Sequence, residues 1–125
     1  MASDYFTADE LKCRCKHCDG ELYIDEEFLD IINRIREFCG FPLPVVHGYR
    51  CPLHPLEAHK PAPGPHAQGR AIDIAVYGEQ AMRLFEVARQ CGIKRIGANQ
   101  TGSLSSRYIH LDTSQTAPSP AFWTY

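Results

Sequence analysis

No stretch of this sequence stays apolar for anything near the roughly 20 residues a membrane span requires, so no transmembrane helix is expected. Neither sign of charge dominates. Thirteen basic residues against 15 acidic ones leave a net charge of −2, and without a basic face a nucleic-acid partner is not expected. The opening Met1 to Asp9 is polar and mixed. It lacks the basic-then-apolar pattern of a secretory signal, so the chain reads as cytoplasmic when synthesised. Internal repeats and low-complexity segments are also missing, so residues 1–125 are read as one domain.

What is present is an ordinary globular balance, 44% apolar and 22% charged over 125 residues. That is enough for one core without a metal or disulfide. Cysteine is abundant at six. Three form Cys13-x-Cys15-x-x-Cys18 within a Cys-rich segment over residues 1–20, while Cys39, Cys51 and Cys91 are scattered. The cluster offers three sulfurs where tetrahedral zinc takes four ligands. A second, structural zinc site completed by His17 or Cys51, a source of disulfides, and free thiols all stay open.

The periodicities sketch an α+β fold. Thr7 and Glu10 fit a capping box that starts a short helix. From Asp25 the apolar residues Phe28, Ile31, Ile32, Ile35 and Phe38 fall on one helical stripe, with Gly40 placed to stop it. Residues 44–49 read as a short strand. Residues 51–69 hold five of the nine prolines and three histidines, His54, His59 and His66, and read as a loop. Residues 71–76 alternate as a buried strand, with Asp73 opposite Ile72 and Ile74. A second helix over 78–91 precedes strands over 93–98 and 107–112, joined by a polar hairpin loop. The tail, 113–125, carries Phe122, Trp123 and Tyr125 and is expected to pack back onto the domain. The order predicts a small, largely antiparallel sheet with helices on one face.

Polar residues interrupt two of these strands. Asp73 sits in an apolar run, where burying a carboxylate is costly without a partner. In the last strand His110 and Asp112 share a face, away from Ile109 and Leu111. If the two strands are neighbours, Asp73 and His110 share a surface that His66 reaches from the loop. Two imidazoles, one carboxylate and an open position form a catalytic-zinc ligand pattern. Arg50 precedes the histidine loop, where a guanidinium can bind a carboxylate or stabilise an oxyanion.

Three blocks carry a resemblance: Gly48-Tyr49-Arg50-Cys51-Pro52-x-His54, His66-x-x-Gly69-x-Ala71-x-Asp73, and Ile109-His110-Leu111-Asp112. In that order they resemble the zinc D-Ala-D-Ala carboxypeptidase family, closest to its small carboxypeptidases and phage endolysin-type peptidases. Phe6, Glu10, Leu11 and the closing Trp123 extend the likeness over nearly the whole chain. The resemblance implies the fold shared with the hedgehog signalling domain. It implies zinc on His66, Asp73 and His110, with Arg50 facing the substrate. It also implies cleavage of peptidoglycan stem peptides, as a D-Ala-D-Ala carboxypeptidase or an L-Ala-D-Glu endopeptidase, after release from the cell by a phage, a prophage or another route.

Two departures qualify it. Gly64 and His47 stand where relatives often carry Ser or Thr. Arg107 stands three residues before His110, where relatives place an acidic general base. Asp112 and His47 are the substitute bases expected here. A non-catalytic zinc-containing wall-binding or phage structural module on the same fold is the alternative reading.

Overall fold

The computed structural model describes residues 5–125; residues 1–4, the beginning of the polar N-terminal stretch, lie outside the described residues. Short α1, Ala8–Leu11, opens on the expected capping box: the Thr7 hydroxyl accepts from the Glu10 N–H, and the Glu10 carboxylate accepts from the Thr7 N–H. Helix α2, Glu26–Cys39, starts at Asp25, whose carboxylate accepts from the Phe28 N–H at 3.1 Å. It ends at Gly40, in the left-handed conformation with φ 76°. Its buried stripe is Phe28, Leu29, Ile32 and Ile35, each worth about 1.5–3 kcal/mol of apolar burial. Two members of the expected stripe are corrected: Ile31 is half-buried and Phe38 is 57% exposed, because at 3.6 residues per turn both fall at the edge of the buried stripe. Helix α3, Gly78–Gln90, buries Ala81, Leu84, Val87 and Ala88 and packs against α2.

Five strands form one sheet in the order β1-β2-β4-β3-β5: β1 Val45–His47, β2 Ala71–Ile74, β3 Arg95–Asn99, β4 Tyr108–Asp112 and β5 Ala121–Thr124. The first three pairings are antiparallel and the β3–β5 pairing is parallel. The fifth strand is absent from the sequence reading, because Ala121–Thr124 is too short and too flanked by proline and serine to declare a strand by pattern. A short 3-10 turn, Leu104–Ser106, lies in the loop between β3 and β4.

The register explains the layout. Ile72 pairs with Leu111 and Leu111 with Ile96. These side chains, with Ile74 and Ile109, join Phe28, Ile32, Ile35 and Leu84 in the core. One step along each strand the side chains turn to the opposite face, which is left for polar groups. No helix among the described residues is long and apolar enough to cross a membrane.

Candidate metal centre and cleft

One cross-strand row runs through all five strands. His47 pairs with Asp73, Asp73 with His110, His110 with Gly97, and Gly97 with Trp123. Residues directly opposite on neighbouring strands have Cβ atoms about 4.5–5.5 Å apart, so register alone puts Asp73 beside His110. His66 arrives from the proline-rich loop, and the end of that loop is tied to α2. Gly69 accepts from the Asp25 N–H at 2.9 Å, and the Arg70 guanidinium reaches Asp25 Oδ1 at 3.2 Å. Gly69 has φ 72°, and a Cβ there would lie 2.6 Å from the Tyr23 ring. Only glycine fits this turn three residues after His66.

The three side chains are buried and face one point. His110 Nδ1 is 2.8 Å from Asp73 Oδ1, and His66 Nε2 is 3.3 Å from the same oxygen. Ligand atoms of all three lie within 4.8 Å of one another. The outer nitrogens are also fixed. His66 Nδ1 lies 2.8 Å from the Gly48 carbonyl oxygen. A carbonyl only accepts, so Nδ1 carries the hydrogen and Nε2 presents a lone pair. His110 Nε2 lies 2.6 Å from Asp112 Oδ2. His110 therefore stands between two carboxylates, which a neutral ring cannot serve with two donors.

The electrostatics follow from these contacts. Burial acts to lower His110, but hydrogen bonds to Asp112 and Asp73 outweigh it and raise the pKa. Burial lowers His66 below the usual histidine value, with Asp73 opposing. Burial acts to raise Asp73, yet hydrogen bonds from His110 and His47 hold it well below the carboxylate range. A divalent cation fits this donor set: a carboxylate that stays ionised, one imidazole kept neutral, and one whose inward proton a metal replaces. Zinc is bound by such N and O ligands at about 2.0–2.2 Å, with carboxylate or carbonyl partners orienting each histidine from outside. Asp112 and the Gly48 carbonyl are those partners.

A model of the Peptidase M15 family matches residues 4–112. This chain belongs to the peptidase M15 family. No curated protein and no solved structure matches it. The matched span covers every element except β5, and membership makes the chain a metallopeptidase-type hydrolase by family.

In this M15 chain the remaining expected residues divide. Arg50 is at the site: its Nη2 lies 3.8 Å from Asp73 Oδ2 and its Nη1 3.5 Å from Glu57 Oε2. Its Nε is buried with no hydrogen-bond partner. His47 Nδ1 lies 3.3 Å from Asp73 Oδ2, at the end of the row, with a side chain 37% exposed. Asp112 lies on the far side of the His110 ring and is fully buried. Its Oδ1 is taken by Arg95 Nε at 2.8 Å and the Ser114 N–H at 2.9 Å. Burial acts to raise its pKa, but His110 and the Ser114 N–H outweigh that and hold it low. The expectation that Asp112 acts as base meets a carboxylate already filled on both oxygens. Arg107 turns away: its guanidinium donates to the Gly102 carbonyl at 3.0 and 3.2 Å, and it borders a separate apolar hollow with Met82 and Phe122.

Sequence reasoning missed several neighbours. Glu57 is 5% exposed and anchors Arg50, Lys60 (2.9 Å) and the Gly64 N–H (3.2 Å). Its signal was available, since it is the only acidic residue in 51–69. β5 adds a wall: the Trp123 ring is 5.4 Å from His110, with the Arg95 guanidinium 4.9 Å from Trp123, and Tyr125 lies 5.3 Å from Tyr108. A Cβ on Gly97 would lie 2.5 Å from Trp123 Nε1, so the bare backbone opposite His110 is what admits the indole. His66, Asp73 and His110 line a cleft of about 340 Å³ together with Arg50, Tyr108 and Trp123.

The structure also gathers the cysteine cluster. Cys13, Cys15, Cys18 and Cys51 form a second group able to hold a metal. Cys51 takes the fourth place that the sequence leaves open between it and His17. Cys39 and Cys91 stay outside it.

Proposed function

We propose that this chain is a zinc peptidase that hydrolyses D-amino-acid-containing stem peptides of bacterial peptidoglycan. The observation that carries the reading is the convergence of His66, Asp73 and His110 inside a cleft that also holds Arg50. Zinc bound by these three residues supplies Lewis acidity, which polarises an amide carbonyl and acidifies water.

The chain's own groups do the rest. Asp112 and the Gly48 carbonyl hold the two imidazoles in their ligand orientations. Arg50, held by Glu57, binds the substrate carbonyl or carboxylate and offsets negative charge that develops there. His47 accepts the proton of the attacking water, because its ring stands 3.3 Å from Asp73 and is part exposed while Asp112 is enclosed. Tyr108, Trp123 and Tyr125 form an aromatic wall against the peptide. The cations Arg50 and Lys60 suit a substrate whose stem carries free carboxylates.

The alternative, a non-catalytic wall-binding or phage structural module, is favoured by one feature: the usual base position is Arg107 and faces away. Incubating zinc-loaded protein with purified peptidoglycan separates the two. Mass spectrometry is expected to find free D-alanine (carboxypeptidase action) or new amino termini after L-alanine (endopeptidase action). Muropeptides left intact while the protein stays bound to the wall support the module and overturn the peptidase.

A further inference from the structure

We infer that Cys13, Cys15, Cys18 and Cys51 form a closed, four-sulfur structural site for zinc, which staples the N-terminal segment to the chain beside Arg50. This site is separate from the histidine centre and does not depend on how that centre is read.

Geometry is the first support. The four sulfurs lie within 4.8 Å of one another, with Cys15–Cys51 at 3.4 Å and Cys15–Cys18 at 3.6 Å. A zinc–sulfur distance of about 2.3 Å places the corners of a tetrahedron about 3.8 Å apart. A disulfide requires about 2.05 Å, and all four cysteines are free. Four sulfurs gathered around one point, not two bonded pairs, is the arrangement of a cation cage.

The backbone is the second support. The Cys51 N–H donates to Cys13 Sγ at 3.3 Å. A backbone donor on sulfur stabilises thiolate, the form that ligates metal. Four thiolates on one zinc carry a net charge of 2 − 4 = −2, and Lys12, Arg14 and Lys16 lie among the cysteines in sequence.

The third support is the segment itself. Between α1 and α2 the chain runs from residue 12 to 25 with no helix or strand, yet Cys13 and Cys51 are each only 1% exposed. The segment is joined to the site side of the molecule at Tyr49, whose N–H donates to the Leu11 carbonyl at 2.8 Å. Gly48 is pressed so close that a Cβ would lie 2.6 Å from that same carbonyl oxygen. Cys51 follows Arg50, whose N–H donates to the His66 carbonyl at 3.3 Å. A metal on Cys51 therefore fixes the backbone that carries both Arg50 and the loop of His66.

Cobalt substitution tests this with a readout independent of activity. Chelator-stripped wild-type protein and His66→Ala protein are each titrated with Co²⁺. Both are expected to develop the intense sulfur-to-cobalt charge-transfer absorption of a tetrahedral tetrathiolate. Cys51→Ser is expected to bind Co²⁺ more weakly with a reduced band, and Cys91→Ser to match the wild type. In zinc-loaded native protein a thiol reagent is expected to react with Cys39 and Cys91 while sparing the cluster. No charge-transfer band in wild-type and His66→Ala protein, or cluster thiols as reactive with zinc as without it, overturns the assignment. Neither of those readouts relies on a cysteine variant that fails to fold.

Discussion

The two ligand clusters of this molecule are built in opposite ways. His66, Asp73 and His110 take two of their three members from neighbouring strands, so sheet register sets their spacing and buried isoleucines on the other face hold that register. Cys13, Cys15, Cys18 and Cys51 come from irregular chain, with no strand register to set their spacing. The strand-built cluster opens on a cleft with N and O donors; the loop-built one is all sulfur. Ligand type and openness separate catalytic from structural zinc. Rigid elements carry the positions that chemistry needs, and a cross-link holds chain that has no ladder of its own.

Four experiments press on that contrast. The largest effect is expected from His47→Ala. If His47 is the proton acceptor of the strand-built centre, kcat falls by about 10²–10⁴-fold while zinc content stays unchanged. Steady-state kinetics on a muropeptide together with metal analysis check both halves. Arg50→Ala comes next, with kcat/KM lowered by roughly 10²–10³-fold, measured on the same substrate. A loss no larger in Arg50→Ala than in Lys60→Ala removes the special place given to Arg50. Asp112→Asn is expected to keep the metal but weaken zinc affinity by about 10–100-fold, read by competition with a chromogenic chelator. An unchanged affinity there means that Asp112 does not orient His110.

The mildest effect is on pH dependence. His110 has a raised pKa, so its inward nitrogen holds a proton to higher pH than an ordinary histidine. Zinc must displace that proton, so affinity at the histidine centre falls as pH drops through this raised value. His66, lowered by burial, adds little until lower pH. Zinc dissociation constants measured between about pH 5 and 8 are expected to rise steadily toward the acid end. A flat profile contradicts the protonation states assigned to the pair.

Much of the strand-built centre was legible in the sequence, for a physical reason. Alternation puts Asp73 opposite Ile72 and Ile74, and His110 opposite Ile109 and Leu111, so a polar residue in an apolar strand marks the working face. The helix limits were equally plain at Thr7, Asp25 and Gly40, because caps leave side-chain signatures. What depends on distant chain was not legible. No periodicity tells that Ala121–Thr124 pairs in parallel with β3 and brings Trp123 over Gly97. The division of labour around His110 was hidden too. Asp112 shares a face with the ligands, as alternation says, but only the Arg95 and Ser114 contacts reveal that its oxygens are occupied. The fourth cysteine was left open for the same reason, since Cys51 is 33 residues or more from its partners in sequence.

The most direct test of the central claim is native mass spectrometry of zinc-loaded wild-type and Asp73→Ala proteins side by side. The row across the sheet predicts that removing this one carboxylate releases the zinc of the histidine centre, so the variant carries one ion fewer than the wild type and leaves muropeptides uncut. An Asp73→Ala protein with the same zinc count and the same cleavage contradicts the account.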